Sequence, residues 1–89
     1  MVEQDVEIIN KLGLHARAAA KLVSTAAAYA SSVTLEFAGN SADAKSIMSV
    51  MMLAAAQGSV IRIRCEGDDE QQALDAVVSL IDDYFGEDG

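Results

Sequence analysis

The sequence predicts a single α+β domain over residues 1–89. Four mostly antiparallel strands form one sheet, and three helices gather on one of its faces, in the order β-α-β-β-α-β-α. Three observations carry that expectation. Val2, Val6 and Ile8, then Val33, Leu35 and Phe37, then Ile61, Ile63 and Cys65 alternate with polar neighbours at the period of a half-buried strand. The polar phase holds Glu3, Asp5, Glu7, Thr34, Glu36, Arg62 and Arg64, a solvated face with both charge signs available for cross-strand pairs. Between and after these strands lie runs of helical composition or helical spacing, which cover the other face.

Each element has a local reason. After the first strand, Asn10 to Leu14 reads as a loop with Gly13 as its flexible point. Ala16 to about Tyr29 is rich in Ala, Lys, Leu and Arg without Gly or Pro, a helix on propensity alone. Ser31-Ser32 breaks it, and the second strand follows. Gly39-Asn40 is a tight-turn dipeptide, so Ser41 to Ala44 is expected to pair back as a short edge strand, with Asp43 discouraging further pairing. Ser46 is placed to cap a helix through Ile47–Leu53 that fades through Ala54–Ala56 and stops near Gly58. Beyond the fourth strand, Asp68 is expected to cap the last helix with Gln71 as its capping-box partner. Leu74, Val77, Val78, Ile81 and Phe85 mark the buried stripe, Gly86 ends the helix, and Glu87-Asp88-Gly89 is expected to fray.

Composition narrows the class. An apolar content of 52% in 89 residues supports one core and excludes global disorder. With only two Phe and two Tyr, that core must come from Val, Ile, Leu and Met. One cysteine excludes an internal disulfide, and Cys65 on an apolar strand phase reads as a small buried hydrophobe. One His and one Cys are too few for a structural zinc site, so neither metal nor cofactor is expected. Met1-Val2-Glu3-Gln4-Asp5 has no apolar segment of a signal peptide, and no run reaches the ~18 apolar residues of a membrane span, so the expected location is cytoplasmic. A net charge of -8 argues against nucleic acid and against an anionic membrane surface as partners. Lys11, Arg17, Lys21 and Lys45 all fall in the first half, a local basic spot on an otherwise repellent surface.

The only histidine, His15, lies in that half, where the first strand's loop meets the first helix. A neutral imidazole is a good nucleophile toward a phosphoryl donor. The first-turn N–H groups, Ala16's among them, have no intrahelical acceptor, and the helix dipole favours an anion there. Arg17 adds a guanidinium whose fork matches phosphate oxygens, as an electrostatic partner and not as a proton donor. Nucleophile, anion site and counter-charge therefore fall within a few residues. A short one-sided helix cannot bury all of Ile47, Met48, Met51 and Met52, and flexible methionines suit a surface that accepts several partners. Ile47 and Met51 are the expected exposed docking residues beside His15, with Met48, Ala20 and Lys21 as further candidates.

Asn10-Lys11-Leu12-Gly13-Leu14-His15-Ala16-Arg17, followed by Ala19-Ala20-Lys21, closely resembles the active-site segment of the HPr family, the histidine-containing phosphocarriers of the bacterial phosphotransferase system. Ala44-Lys45-Ser46-Ile47-Met48, then Val50-Met51, Gln57-Gly58 and the Glu66-Gly67-Asp68-Asp69-Glu70 turn match too, so the resemblance covers nearly the whole chain. It implies an open-faced β-sandwich and a covalent intermediate that is not a turnover enzyme. His15 would accept phosphate from phosphorylated enzyme I, itself charged by phosphoenolpyruvate, and donate it to an enzyme IIA-type acceptor. Ser46, locally a helix cap, would be the target of an ATP-dependent HPr kinase/phosphorylase. A shuttle must release each partner quickly, so a monomer working by transient encounters is expected.

Three departures stand out. Ala18 occupies the usual proline position, and Ser24 and Ala27 replace basic residues common on the partner-facing helix. The Met48–Ala56 run and the Tyr84-Phe85-Gly86-Glu87-Asp88 tail look more like the nitrogen-related, regulatory branch. The alternative reading is therefore a mainly regulatory binding module acting in nitrogen or carbon control through its phosphorylation state. An acyl-carrier role fits poorly, because Val78-Ser79-Leu80 lacks the aspartate that a prosthetic-group serine needs before it.

Overall fold

The computed structural model describes residues 1–87; Asp88 and Gly89, assigned above to the fraying tail, lie outside the described residues. The chain runs β1 (Val2–Glu7), α1 (Ala16–Ala27), β2 (Ser32–Phe37), β3 (Asn40–Asp43), α2 (Ile47–Met52), β4 (Val60–Glu66) and α3 (Glu70–Asp82), then a 3-10 turn, Tyr84–Gly86. The strands form one sheet in the order β1-β4-β2-β3, every pair antiparallel. The helices share one face: α3 packs on β1, β4 and β2, α2 on β3, and α1 on α2 and α3. This is the expected open-faced α+β sandwich.

Alternation sets the faces. Val6, Val33, Leu35, Ala42, Ile61, Ile63 and Cys65 point under the helices and are buried. Register places Glu3 opposite Arg64 and Asp5 opposite Arg62 on the other face. Arg62 Nε donates to Asp5 at 2.9 Å, while Arg64 spans the sheet, reaching Glu3 at 3.2 Å and the diagonal Glu36 at 3.1 Å. These partly exposed pairs select register more than they add stability. In the core, Phe85 is the one fully buried aromatic among the described residues, and the buried α1 positions Ala18, Ala19 and Ala26 are small enough for close approach of neighbouring elements.

Several boundaries differ from local expectation, each for a tertiary reason. The β2–β3 turn is Ala38-Gly39, not Gly39-Asn40: Phe37 pairs with Asn40, leaving two loop residues at φ 51 and 83, the left-handed pair that a tight hairpin requires. Ala44 therefore lies just outside the strand. Helix α1 stops at Ala27, short of Tyr29, because the next turn is claimed by Asp69, which accepts from the N–H groups of Ala30 and Ser31 at 2.9 Å each and from the Ser31 hydroxyl. With Asp69 so engaged, the Asp68–Gln71 capping box does not form: Asp69 is the N-cap of α3 without a side-chain cap bond, and Gln71 donates to Asp75.

The Ser46 cap is present, its hydroxyl accepting from Ser49 N–H at 3.3 Å, but α2 ends at Met52 and Ala54 turns left-handed at φ 54. The expected alanine fade is instead drawn onto the β1 exit, where Leu14 N–H bonds Ala55 C=O and Gly58 N–H bonds Ile8 C=O. Helix α3 ends at Asp82 and not at Gly86. Tyr84 and Phe85 then take φ of 57 and 53, and this kink puts Phe85 in the core off the helical stripe. Val78, counted in that stripe, is only partly buried.

Two contacts fix the region that carries the histidine. Asn10 is fully buried and donates from Nδ2 to Gly13 C=O at 2.9 Å. Gly13 sits at φ +64, and a Cβ there would lie 2.5 Å from Ala55 O and 2.8 Å from Ala56 Cα. Gly13→Ala should therefore cost about 2–4 kcal/mol, from a left-handed backbone plus a backbone clash, read as a lowered urea midpoint; an unchanged midpoint would mean the loop has another packing. A second prediction concerns acid. The Ser31 hydroxyl, then the Ala30 N–H, holds the Asp69 carboxyl below its ordinary value. Its contribution is complete above the unfolded-state pKa of about 3.9 and is lost as pH falls through the lower folded value. Asp69→Asn should lower the urea midpoint near neutral pH and differ less from the parent in acid. Equal midpoints at both pH values would remove Asp69 from the list of tethers.

Candidate functional site

The site grows from the loop. Buried Ile8 follows the end of β1, Asn10 and Gly13 close the turn, and buried Leu14 anchors it to Ala55. His15 is thereby delivered to the N-cap of α1 with extended backbone, φ -74 and ψ 177. It makes no side-chain cap bond, so the imidazole is not spent on the helix. The first helical bond runs from Ala19 N–H to His15 C=O at 2.8 Å, and the N–H groups of Ala16, Arg17 and Ala18 precede the ladder.

The imidazole has a partner that local reading missed. Its Nε2 lies 2.7 Å from Glu87 Oε1, and Asn10 Nδ2 donates to the same oxygen at 3.3 Å. A carboxylate only accepts, so in the neutral ring the proton sits on Nε2 and the lone pair is left on Nδ1. The His15 side chain is 26% exposed and that of Glu87 12%, so the pair is shielded but reachable. Glu87 was expected to fray. It is held instead by Phe85 in the core, by Lys21 Nζ on Phe85 C=O at 2.7 Å, and by its own N–H on Tyr84 C=O at 2.8 Å. An acidic tail was visible in the sequence; nothing periodic said that a left-handed kink would turn it back onto the histidine.

Arg17 is exposed on the first turn of α1, and its side chain makes no hydrogen bond or ion pair with the described residues. Ala16 is exposed and Ala20 partly buried on the same helix, and the Lys21 amine is turned toward the tail. On α2, Ile47 and Met51 are exposed at 42% and 38%, and so are Met48 and Met52, which are more open still. Lys45 Nζ bonds Tyr29 C=O at one end of α2, and Ala55 C=O takes Leu14 N–H beyond the other. Helix α2 therefore runs back along α1. Its Ser46 end lies beside the C-terminal end of α1, and its exit lies beside the His15 loop. Of the exposed residues, Ile47 and Met48 therefore lie at the Ser46 end of α2, and Met51 and Met52 at the end nearer the His15 loop.

Cys65 is buried, and burial pushes its thiol up, away from reactive thiolate. No cluster of His, Cys, Asp and Glu suited to a metal occurs among the described residues. No described helix is long and apolar enough to cross a membrane.

Comparison with known proteins gives the family. The family model described as the phosphotransferase system HPr component phosphorylation site matches residues 2–83. A phosphocarrier protein HPr of Xylella fastidiosa is 51% identical over 88 residues, covering 99% of both chains. The crystal structure of HPr from Thermoanaerobacter tengcongensis superposes with a TM-score of 0.96 at 46% identity, covering 100% of each chain. A structure described as an HPr dimer from the same organism matches at TM-score 0.79 and 47% identity, over 98% of this chain and 100% of that one. With a half-buried histidine at a helix start, the sheet order described above and relatives matched end to end, the chain belongs to the HPr family of phosphocarrier proteins of the bacterial phosphotransferase system.

Proposed function

We propose that His15 takes a phosphoryl group on Nδ1 from phosphorylated enzyme I and passes it to an enzyme IIA-type acceptor, the chain serving as covalent carrier and not as a turnover enzyme. The observation that carries this reading is the commitment of Nε2 to Glu87, which leaves Nδ1 as the nucleophilic atom at the start of α1. The N–H groups of Ala16 and Arg17 supply donors for phosphoryl oxygens, and the Arg17 guanidinium, unpaired among the described residues, supplies counter-charge. Exposed Ile47, Met48 and Met51, with Ala20 and Lys21 on α1, form the docking face. An apolar, methionine-rich face beside a small charged site suits brief encounters with several partners. The carrier acts as a monomer in the cytoplasm.

Ser46 is the regulatory residue, phosphorylated by an HPr kinase/phosphorylase. Its hydroxyl caps α2, where the dipole tolerates a dianion, and it immediately precedes the exposed Ile47 and Met48. Phosphorylation therefore acts on docking, by placing charge on an apolar face that a partner must desolvate.

His15→Ala should remain folded and take up no acid-labile phosphate from phosphoenolpyruvate and enzyme I, measured by intact mass. Retained uptake in the folded variant would end the assignment. Arg17→Ala should slow uptake by about ten- to a hundredfold, the weight of one charge-assisted hydrogen bond; an unchanged rate would remove Arg17 from the site. At equal enzyme I, Ser46→Asp should slow His15 phosphorylation by about fivefold or more, within the range typical of coupled sites, while Ser46→Ala stays near the parent rate. Equal rates in both folded variants would reduce Ser46 to a helix cap.

A further inference from the structure

We propose that Glu87 is a positioning residue for His15, seated by buried Asn10, and that the last turn of the chain is a strap built to present it. This inference rests on His15 being the phosphoryl acceptor. The geometry is a short chain of bonds. Asn10 is 0% exposed, donates to Gly13 C=O and to Glu87 Oε1, and so ties the histidine loop and the carboxylate to one buried amide. Glu87 Oε1 then meets His15 Nε2 at 2.7 Å. Upstream, Phe85 is fully buried and its carbonyl holds Lys21 Nζ at 2.7 Å. The carboxylate is therefore placed by three separate contacts, and the left-handed Tyr84 and Phe85 are the cost of aiming it.

The consequence is chemical. Of the two ring nitrogens, Glu87 accepts the Nε2 proton's hydrogen bond and leaves the Nδ1 lone pair free. When that pair forms the N–P bond, the bond from phosphorus to the donor's leaving atom breaks and its electrons depart with the donor. The Nε2 proton stays on the ring, facing Glu87. Positive charge developing on the imidazole thus meets a negative charge already in place, and no proton has to be moved. On transfer to the acceptor the pair returns to Nδ1 and the ring is again the Nε2–H tautomer. Orientation by a carboxylate on the far nitrogen is the logic that fixes a histidine in other nucleophilic and metal sites.

The test uses the full chain with ¹⁵N-labelled histidine, comparing parent, Glu87→Gln and Glu87→Ala. Ring nitrogen shifts at a pH where the imidazole is neutral should report the Nε2–H form in the parent and in Glu87→Gln, which keeps an acceptor oxygen. Glu87→Ala should move toward the tautomer mixture of an unrestrained imidazole. Phosphoryl uptake from enzyme I should lose about tenfold in maximal rate in Glu87→Ala, the scale of one hydrogen bond to a charged group, and less in Glu87→Gln. The concentration for half-maximal uptake should stay unchanged, because the effect is on the ring and not on docking. Identical ring shifts in the parent and Glu87→Ala would overturn the proposal, as would a loss confined to half-saturation or an unaltered rate. A parent chain that takes up no phosphate would instead overturn His15 as acceptor, and the ring shifts would still decide the Glu87 contact.

Discussion

The approach of the Gly13 backbone to Ala55 and Ala56 is the constraint on which the site depends. A side chain of any size at residue 13 would meet the carbonyl of Ala55, so only glycine lets the loop after β1 lie flat on the segment after α2. That contact allows Leu14 N–H to reach Ala55 C=O, which sets where α1 begins. Once α1 begins at Ala16, His15 has no choice but to be its cap, with its ring outside the helix and the first-turn donors beside it. The same contact holds the segment after α2, where Ala54 turns left-handed, against the loop that carries the histidine. One glycine thus couples the position of His15 to the exit of α2.

The fold keeps two kinds of surface apart. On the open sheet face, Glu3, Asp5, Glu36, Arg62 and Arg64 neutralise one another in cross-strand pairs and leave little local charge to act on a partner. On the helical side, Arg17 makes no ion pair with the described residues, and the acidic Glu87 is bonded to imidazole and amide. Net acidity therefore repels anions over most of the surface, while a small region around His15 keeps unspent donors. A phosphoryl group that must arrive and leave is better served by a few donors than by a deep basic pocket, which would hold it.

Much of this was legible locally. Alternation at Val33–Phe37 and Ile61–Cys65 marks strands because one face is buried, and the wet face follows from the same period. Ser46 reads as a cap because capping links residues only three apart in the chain. The helix start at His15 reads from the glycine loop and the alanine-rich run that meet there. What was not legible depended on partners remote in the chain. Asp69 looks like one of two equivalent caps until it reaches 38 residues back to Ser31 and ends α1 instead. Ala38 has no propensity for a left-handed turn, yet the pairing of Phe37 with Asn40 imposes one. Phe85 fits a helical stripe by spacing and enters the core by another route. In each case a long-range contact outweighed a local preference of the order of 1 kcal/mol.

Glu87 is the sharpest instance, and it bears on how a carrier can be both reactive and stable. An exposed imidazole free to rotate would divide its lone pair between two nitrogens and several rotamers, so that only part of the population could attack at once. Fixing the ring through the helix itself would consume donors needed for the phosphoryl oxygens. The chain solves this from outside the helix, with a carboxylate that arrives from the far end of the sequence and a buried amide that seats it. The first turn of α1 keeps its N–H groups, Nδ1 keeps its lone pair, and the ordering is supplied by the aromatic anchor at Phe85.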